Sequence, residues 1–260
     1  MRILSVSSQV AYGPVGNSAA VPALQARGHE VLAVPTITLS NHPGHGKPSG
    51  FRTTPEDLRD ILSALESLGV LRQVSAVLTG YFASPEQVET VATLLVRMKS
   101  ATPGLFILVD PVLGDEAGLY VPQAVAESIR DRLLPVASCI TPNRFELSWL
   151  SGLPVNDGTS AAAAAQALGT QEVLATSIPA EHGQLSTLLF SAGGNHAITS
   201  PRLAKVPNGT GDFLSGLYLS HRVDSEAAPA FTAAMAMLDR AIAMSAGTAV
   251  LDIAAALHRP

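Results

Sequence analysis

The sequence predicts an α/β protein in which a mainly parallel central sheet lies between helices on both faces. Short apolar runs rich in valine, isoleucine and leucine recur between longer segments with helical spacing, and strands that alternate with helices build parallel sheets covered on both sides. The runs are continuously apolar and do not alternate, as burial on two faces requires. Hydrophobic residues make up 47% of the 260 residues and charged residues 14%, the reverse of a disordered chain.

The first strand is expected at residues 3–6, because Met1-Arg2-Ile3-Leu4-Ser5-Val6 turns apolar at once. A signal peptide would carry a longer apolar core and a cleavage site. Further strands are expected at 31–34, 76–79, 106–110, 138–141, 173–176 and 187–190. Helices are expected at 17–27, 55–68, 85–99, 123–133, 144–150, 159–168 and 212–220, with two more after Ser225. Thr54-Pro55-Glu56 and Ser84-Pro85-Glu86 each place a cap, a first-turn proline and an acid in the order that starts a helix. The alanine run 161–165 reads as a helix face, since alanine has the best helix propensity. The most apolar stretch, 227–257, is interrupted by Asp239, Arg240 and Asp252. It reads as a buried or interface helix pair and not as a membrane span. No repeat or linker divides the chain, so residues 1–260 are expected to form one domain.

A formal charge of -5 with no arginine-rich or lysine-rich block points away from nucleic acid. A phosphate ligand remains compatible with it, because backbone amides and metal hold phosphate locally. Cys139 is the single cysteine. An intramolecular disulfide is therefore impossible, and a buried strand thiol is the expected state. A cytoplasmic protein is expected.

Open α/β sheets bind ligands outside the carboxyl ends of their strands. The residues there are polar or glycine-rich: Ser7-Ser8, Ser40-Asn41-His42, Gly80-Tyr81, Asp110-Pro111, Thr141-Pro142-Asn143 and Thr176-Ser177. The most informative segment is Pro207-Asn208-Gly209-Thr210-Gly211-Asp212-Phe213-Leu214-Ser215-Gly216. A glycine-rich turn here enters a helix. Free amides and the positive dipole end at such a start make an anion hole, which would stabilise a phosphoryl group in transfer. Asp212 at the same turn can take a proton from an attacking hydroxyl. The structural alternative is that Asp212 simply caps the helix. The segment is not a Walker A loop, having no Gly-Lys-Ser/Thr. It also stands too late for a dinucleotide fingerprint.

Gly-Thr-Gly-Asp late in an alternating chain resembles the signature of ribokinase-like kinases, which have a three-layer sandwich fold. The resemblance implies that Asp212 is the catalytic base and that Gly209, Thr210 and Gly211 form the anion hole. Five further segments, in order, narrow the resemblance to the pyridoxal kinases. They are Ser8-Gln9-Val10-Ala11-Tyr12-Gly13 with Val15-Gly16-Asn17-Ser18, Leu39-Ser40-Asn41-His42 with Gly46-Lys47 and Gly50, Leu78-Thr79-Gly80-Tyr81, Asp110-Pro111-Val112-Leu113-Gly114-Asp115, and Thr141-Pro142-Asn143-Arg144-Phe145-Glu146. The implied activity is ATP-dependent phosphorylation of the 5'-hydroxymethyl group of pyridoxal or a related B6 vitamer.

By the same resemblance, Ser8 would bond a polar edge of the pyridine ring, Tyr81 would border the ring, and the loop carrying Pro43 and Gly44 would cover it. Asp110, Thr141, Asn143, Glu146, Thr176 and Ser177 would lie on the ATP side. Glu146 and Asp110 would stand near Mg2+, Glu146 through water. A monovalent cation such as K+ and a homodimer are also implied. Each role has a plainer counterpart: a turn serine at Ser8, core packing at Tyr81, a strand-end aspartate at Asp110, β-branched strand residues at Thr141 and Thr176. His42 is read as organising its loop, because a zinc site would need further ligands.

The sequence departs from the family pattern at three places. Pro43 replaces the usual threonine and has neither hydroxyl nor backbone donor. Gln9 stands where relatives commonly have histidine, and residues 200–206 look short for an adenine cover. Two rival readings are therefore kept: a hydroxymethylpyrimidine kinase of the same superfamily, and a non-catalytic vitamin-binding protein on this fold.

Overall fold

The computed structural model describes residues 1–258. Its nine-stranded sheet has the order β11-β10-β9-β8-β5-β4-β1-β2-β3. The strands in that sheet are β1 (Arg2–Tyr12), β2 (Glu30–Asn41), β3 (Gly50–Arg52), β4 (Val74–Thr79), β5 (Phe106–Val109), β8 (Cys139–Ile140), β9 (Glu172–Pro179), β10 (Gln184–Ser191) and β11 (Gly194–Pro201). A separate two-stranded ribbon joins β6 (Gly114–Asp115) to β7 (Gly118–Leu119). From β2 across to β9 the pairing is parallel, whereas β3, β10 and β11 are added antiparallel.

The helices divide between the two faces. One core packs under α2 (Pro55–Ser67), α3 (Pro85–Ala101), α4 (Gln123–Ser128), α5 (Arg144–Ser151) and α6 (Gly158–Leu168). The other packs under α1 (Asn17–Gln25), α7 (Thr210–Arg222), α8 (Ala227–Met244) and α9 (Ile253–Leu257). Strand β1 shows why: Leu4 and Val6 enter the first core and Ile3 the second, each fully buried. Helices α1 and α7 approach closely because Gly216 lies against the Ala20 backbone, where a Cβ would come within 2.8 Å. That contact fixes α7, and with it the glycine turn, relative to β1.

The chain begins at β1, runs outward through β2 and β3, then returns to the other side of β1 as β4 and continues through β5, β8 and β9. The strand order therefore reverses at β1, and the crevice there is the expected ligand position of such a sheet.

The predicted strands and helices are all present, with longer bounds in places. β1 continues to Tyr12 with a register shift near Ser7, and α7 starts at Thr210, two residues before the expected start. The helix expected at 123–133 is α-helical only to Ser128. It then widens into a π-type turn over Ile129–Leu133 and ends in a tight turn containing Pro135, since proline has no amide to continue the ladder. β11 was not expected. It carries few apolar residues and lies exposed at the sheet edge, where no burial pattern is imposed. Cys139 is fully buried in β8. Among the described residues, no helix is long and apolar enough to cross a membrane.

Candidate active site

The sequence-predicted residues converge on one end of the sheet. Ser8 lies in the last part of β1, Tyr81 just after β4, Asp110 just after β5, Thr141 just after β8, and Thr176 and Ser177 in the later half of β9. Asn143 and Glu146 open α5, and Asp212 lies in the first turn of α7.

Gly209 is the N-cap of α7 and has a φ of 88°, a left-handed backbone suited to glycine. It also lies against the Pro14 carbonyl, with no room for a Cβ. The Phe213 amide closes the first helical bond to the Gly209 carbonyl at 2.9 Å. The amides of Thr210 and Gly211 precede that bond and lie at the positive end of α7. The half-buried Asp212 has its own amide and the Gly16 amide near its carboxylate, and both favour its charged form. Burial nevertheless pushes its carboxyl up to about 6, against those two donors. The Gly16 turn is tight. Its φ is 55°, and Ser8 fills the position a Cβ would take.

A second set of contacts links Asp110, Thr141 and α7. Ser215 Oγ donates to Asp110 Oδ2 at 2.9 Å and shares a 2.9 Å hydrogen bond with Thr141 Oγ1. The Val112 amide also favours the Asp110 charge, and Val112 takes the uncommon φ of 47°. For a β-branched residue that conformation is strained. Burial raises Asp110 well above the usual carboxylate range, and the Asp212 and Glu146 charges raise it further. A cavity of about 10 Å³ lies among Ser7, Asp110, Asp212 and Ser215.

Glu146 is turned inward. Its Oε1 accepts from the Leu113 amide at 2.8 Å and its Oε2 from the Asn143 amide at 2.9 Å. Asn143 reciprocates, its Oδ1 accepting from the Glu146 amide at 3.0 Å, which makes a capping box. Asn143 Nδ2 donates to the Gly114 carbonyl at 2.8 Å. Burial pushes Glu146 up to about 7 even though these amides favour its charge. Thr176 is half-buried and bridges Asn143 through the backbone. Ser177 is exposed, with a φ of 59°.

On the opposite side, the Tyr81 amide donates to Ser7 Oγ at 3.2 Å, and Thr36 Oγ1 donates to the Tyr81 carbonyl at 2.6 Å. The loop after β2 folds over this end of the sheet. His42 Nδ1 accepts from the Gly44 amide at 3.1 Å, and Asn41 Nδ2 donates to the carbonyls of His42 and Gly46 at 3.0 Å each. His45 stands edge-on to Tyr12 at 5.2 Å and packs on Gly13. Pro43 and Gly44 are exposed at the tip. Gln9 Nε2 donates to Ser18 Oγ at 2.8 Å and so braces β1 against α1.

Sequence reasoning gave no role to Gly16, Val112, Ser215 or Asn208. Ser215 stands three residues after Asp212 on one helix, so the two share a face; that spacing was a usable signal. The amides of Gly16 and Val112 act through backbone shape, which no residue type announces.

Among the described residues, no group of three or more His, Cys, Asp or Glu side chains could hold a metal ion. Magnesium takes one or two carboxylates and completes its shell with phosphate and water oxygens. The mutual charge repulsion of Asp110, Glu146 and Asp212 is the environment a cation relieves.

A sheet of this topology, with a helix end and a carboxylate presented at its switch point, is suited to hold a phosphate and to take a proton from a hydroxyl, as a small-molecule kinase does. Comparison with known proteins narrows this. The phosphomethylpyrimidine kinase family matches residues 18–252. Pyridoxal kinase PdxY of Leifsonia xyli subsp. xyli is 40% identical over 230 residues, which span 86% of this chain and 81% of that protein. Among solved structures, the pyridoxal kinase of Entamoeba histolytica superposes with a TM-score of 0.92 at 29% identity, covering 98% of this chain and 94% of that one. The Leishmania donovani pyridoxal kinase in complex with ADP and pyridoxine superposes with a TM-score of 0.89 at 30% identity, covering 99% and 92%. The chain belongs to the phosphomethylpyrimidine kinase family and to the pyridoxal kinases. It is an enzyme of the kinase class, which sets aside the carrier reading.

Proposed function

We propose that this kinase transfers the γ-phosphoryl group of ATP to the 5'-hydroxymethyl group of pyridoxal or a close B6 vitamer, with Asp212 as the base. The observation that carries the assignment is the Asp212 carboxylate held at the N-terminus of α7, beside the amides of Thr210 and Gly211. Gly16 and the Asp212 amide orient the carboxylate from behind. Its raised proton affinity suits a base that must accept a proton near neutral pH. As the vitamer oxygen attacks, Asp212 takes its proton, and the Gly209–Gly211 amides receive the developing negative charge.

The ring lies between Ser8, Tyr81 and the Pro43–Gly44 lid, which excludes water as a competing acceptor. Asp110, Thr141, Asn143, Thr176 and Ser177 line the nucleotide side. Asp110, with Glu146 through water, would hold Mg2+, whose bound charge neutralises the phosphate oxygens. Because the Glu146 oxygens are taken by main-chain amides, its part is to fix the Leu113–Gly114 backbone and to add charge. A monovalent cation such as K+ beside the phosphates belongs to the same reading, and replacing K+ with tetramethylammonium tests it.

One continuous sheet supports treating residues 1–260 as one catalytic domain. The lone buried thiol suits a reducing compartment such as the cytoplasm. A homodimer is part of the proposal and is tested by light scattering.

The test is Asp212→Asn in purified protein. We expect a folded variant with kcat reduced at least about a hundredfold. Wild-type formation of pyridoxal phosphate would sink the assignment. A second substrate reading, hydroxymethylpyrimidine, is favoured by Pro43, which leaves the lid tip without the family's hydroxyl. ADP release measured with pyridoxal, pyridoxine, pyridoxamine and hydroxymethylpyrimidine decides between them.

A further inference from the structure

The backbone angle of residue 44 does not require glycine, and the space beside it is taken by two side chains. A Cβ there would come within 2.8 Å of Asn208 Nδ2 and 3.0 Å of His42 Nδ1, and its φ is not in the left-handed region. The tip of the ring-covering loop therefore rests on the side chain of Asn208. That residue immediately precedes Gly209, the N-cap of the phosphate turn. The Asn208 backbone is held by a bridge to Val250, so its exposed side chain is free to face the loop.

The same loop has a second footing. The His42 amide donates to the Tyr12 carbonyl at 3.2 Å, and His45 lies on Gly13. The turn that follows carries Pro14, whose carbonyl abuts Gly209, and Gly16, whose amide holds Asp212. The loop thus touches both walls of the phosphate turn, one through the Tyr12–Gly16 segment and the other through Asn208.

We infer that Asn208 is a positioning residue that couples closure of the 41–46 loop over the vitamer to the geometry of the phosphate turn. This rests on the kinase reading above. A loop seated on the ring places the Gly44 tip against Asn208 and holds the turn in the shape that receives phosphate. An anion already on the turn holds Asn208 where the loop can seat. Each substrate then tightens the other, and the coupling is reciprocal by linkage.

The experiment measures KM for pyridoxal at saturating and at low Mg-ATP, in wild type, Asn208→Ala, Gly44→Ala and the double variant. In wild type we expect KM for pyridoxal to fall about fivefold as nucleotide saturates, the lower end of ordinary coupling. In Asn208→Ala that dependence falls to within about twofold of none, while kcat stays within about threefold. Gly44→Ala raises KM for pyridoxal, because its methyl pushes the tip off Asn208. Adding Asn208→Ala makes room and recovers part of the loss, a non-additivity that separate structural defects would not show. Coupling that persists in Asn208→Ala, or strictly additive effects in the double variant, overturns the inference. An inactive Asp212→Asn alongside either result would leave the base assignment standing.

Discussion

Replacing Gly16 with alanine tests whether the geometry behind Asp212 matters to the chemical step. The φ of 55° places residue 16 in the left-handed region, where an alanine costs about 1–2 kcal/mol. The new Cβ would also collide with the Ser8 carbonyl oxygen and Oγ. The carbonyl is main chain within β1, at the register shift between Ser7 and Gln9, and cannot rotate away as a side chain would, so the turn itself must move. The Gly16 amide would then leave the Asp212 carboxylate. A hydrogen bond to a charged group contributes about 1.5–3 kcal/mol. If that bond holds Asp212 in its reactive orientation, kcat falls about tenfold to a hundredfold. Thermal unfolding should drop by a few degrees, as a change of about 1–2 kcal/mol gives in a chain of this size. Steady-state kcat with pyridoxal and Mg-ATP, together with a melting curve, measures both. A Gly16→Ala enzyme with wild-type kcat and an unchanged Tm would refute the argument. A lowered Tm with wild-type kcat would show that the amide supports the fold and not the base.

Acid should remove activity, because Asp212 must be deprotonated to accept a proton and its carboxyl is pushed up to about 6. In a pH series, kcat should be level above that value and fall about tenfold per unit below it; a flat profile between about pH 5 and 7 would contradict the base role. At the other end of the strands, Arg222 pairs with the buried Glu172 at 2.7 Å and Tyr218 donates to the same carboxylate at 2.7 Å. Arg222→Met leaves that charge without its cation, so urea unfolding should show a loss of about 3–5 kcal/mol, with KM for both substrates unchanged. Pro43→Thr returns a hydroxyl to the lid tip, and one new hydrogen bond to the ring should lower KM for pyridoxal up to about tenfold. No change in KM would place position 43 away from the ring.

Much of the scaffold could be read from residue types. Continuous apolar runs located the parallel strands, and Ser84, Thr54 and Asn143 cap helices as their side chains permit. β11 was not legible, because an exposed edge strand has no face that must be apolar. The break after Ser128 depended on how α4 meets its neighbours, which periodicity does not report.

For the site, the Gly-Thr-Gly-Asp turn was legible through its place after an alternating chain and its order with the other segments, because a glycine and an aspartate at a helix start can by themselves be a plain cap. The sequence by itself determined the alternating fold, the strand ends that carry polar residues, and an aspartate beside the glycine turn that opens α7. Only the tertiary structure decided how those parts meet: the Gly16 amide behind Asp212, the Ser215 hydroxyl between Asp110 and Thr141, and the Gly44 tip on Asn208. Strand and helix periodicities arise from neighbours along the chain, so they are written locally. These contacts join segments many residues apart, and no pattern along the chain says which distant side chain or main-chain amide will meet which.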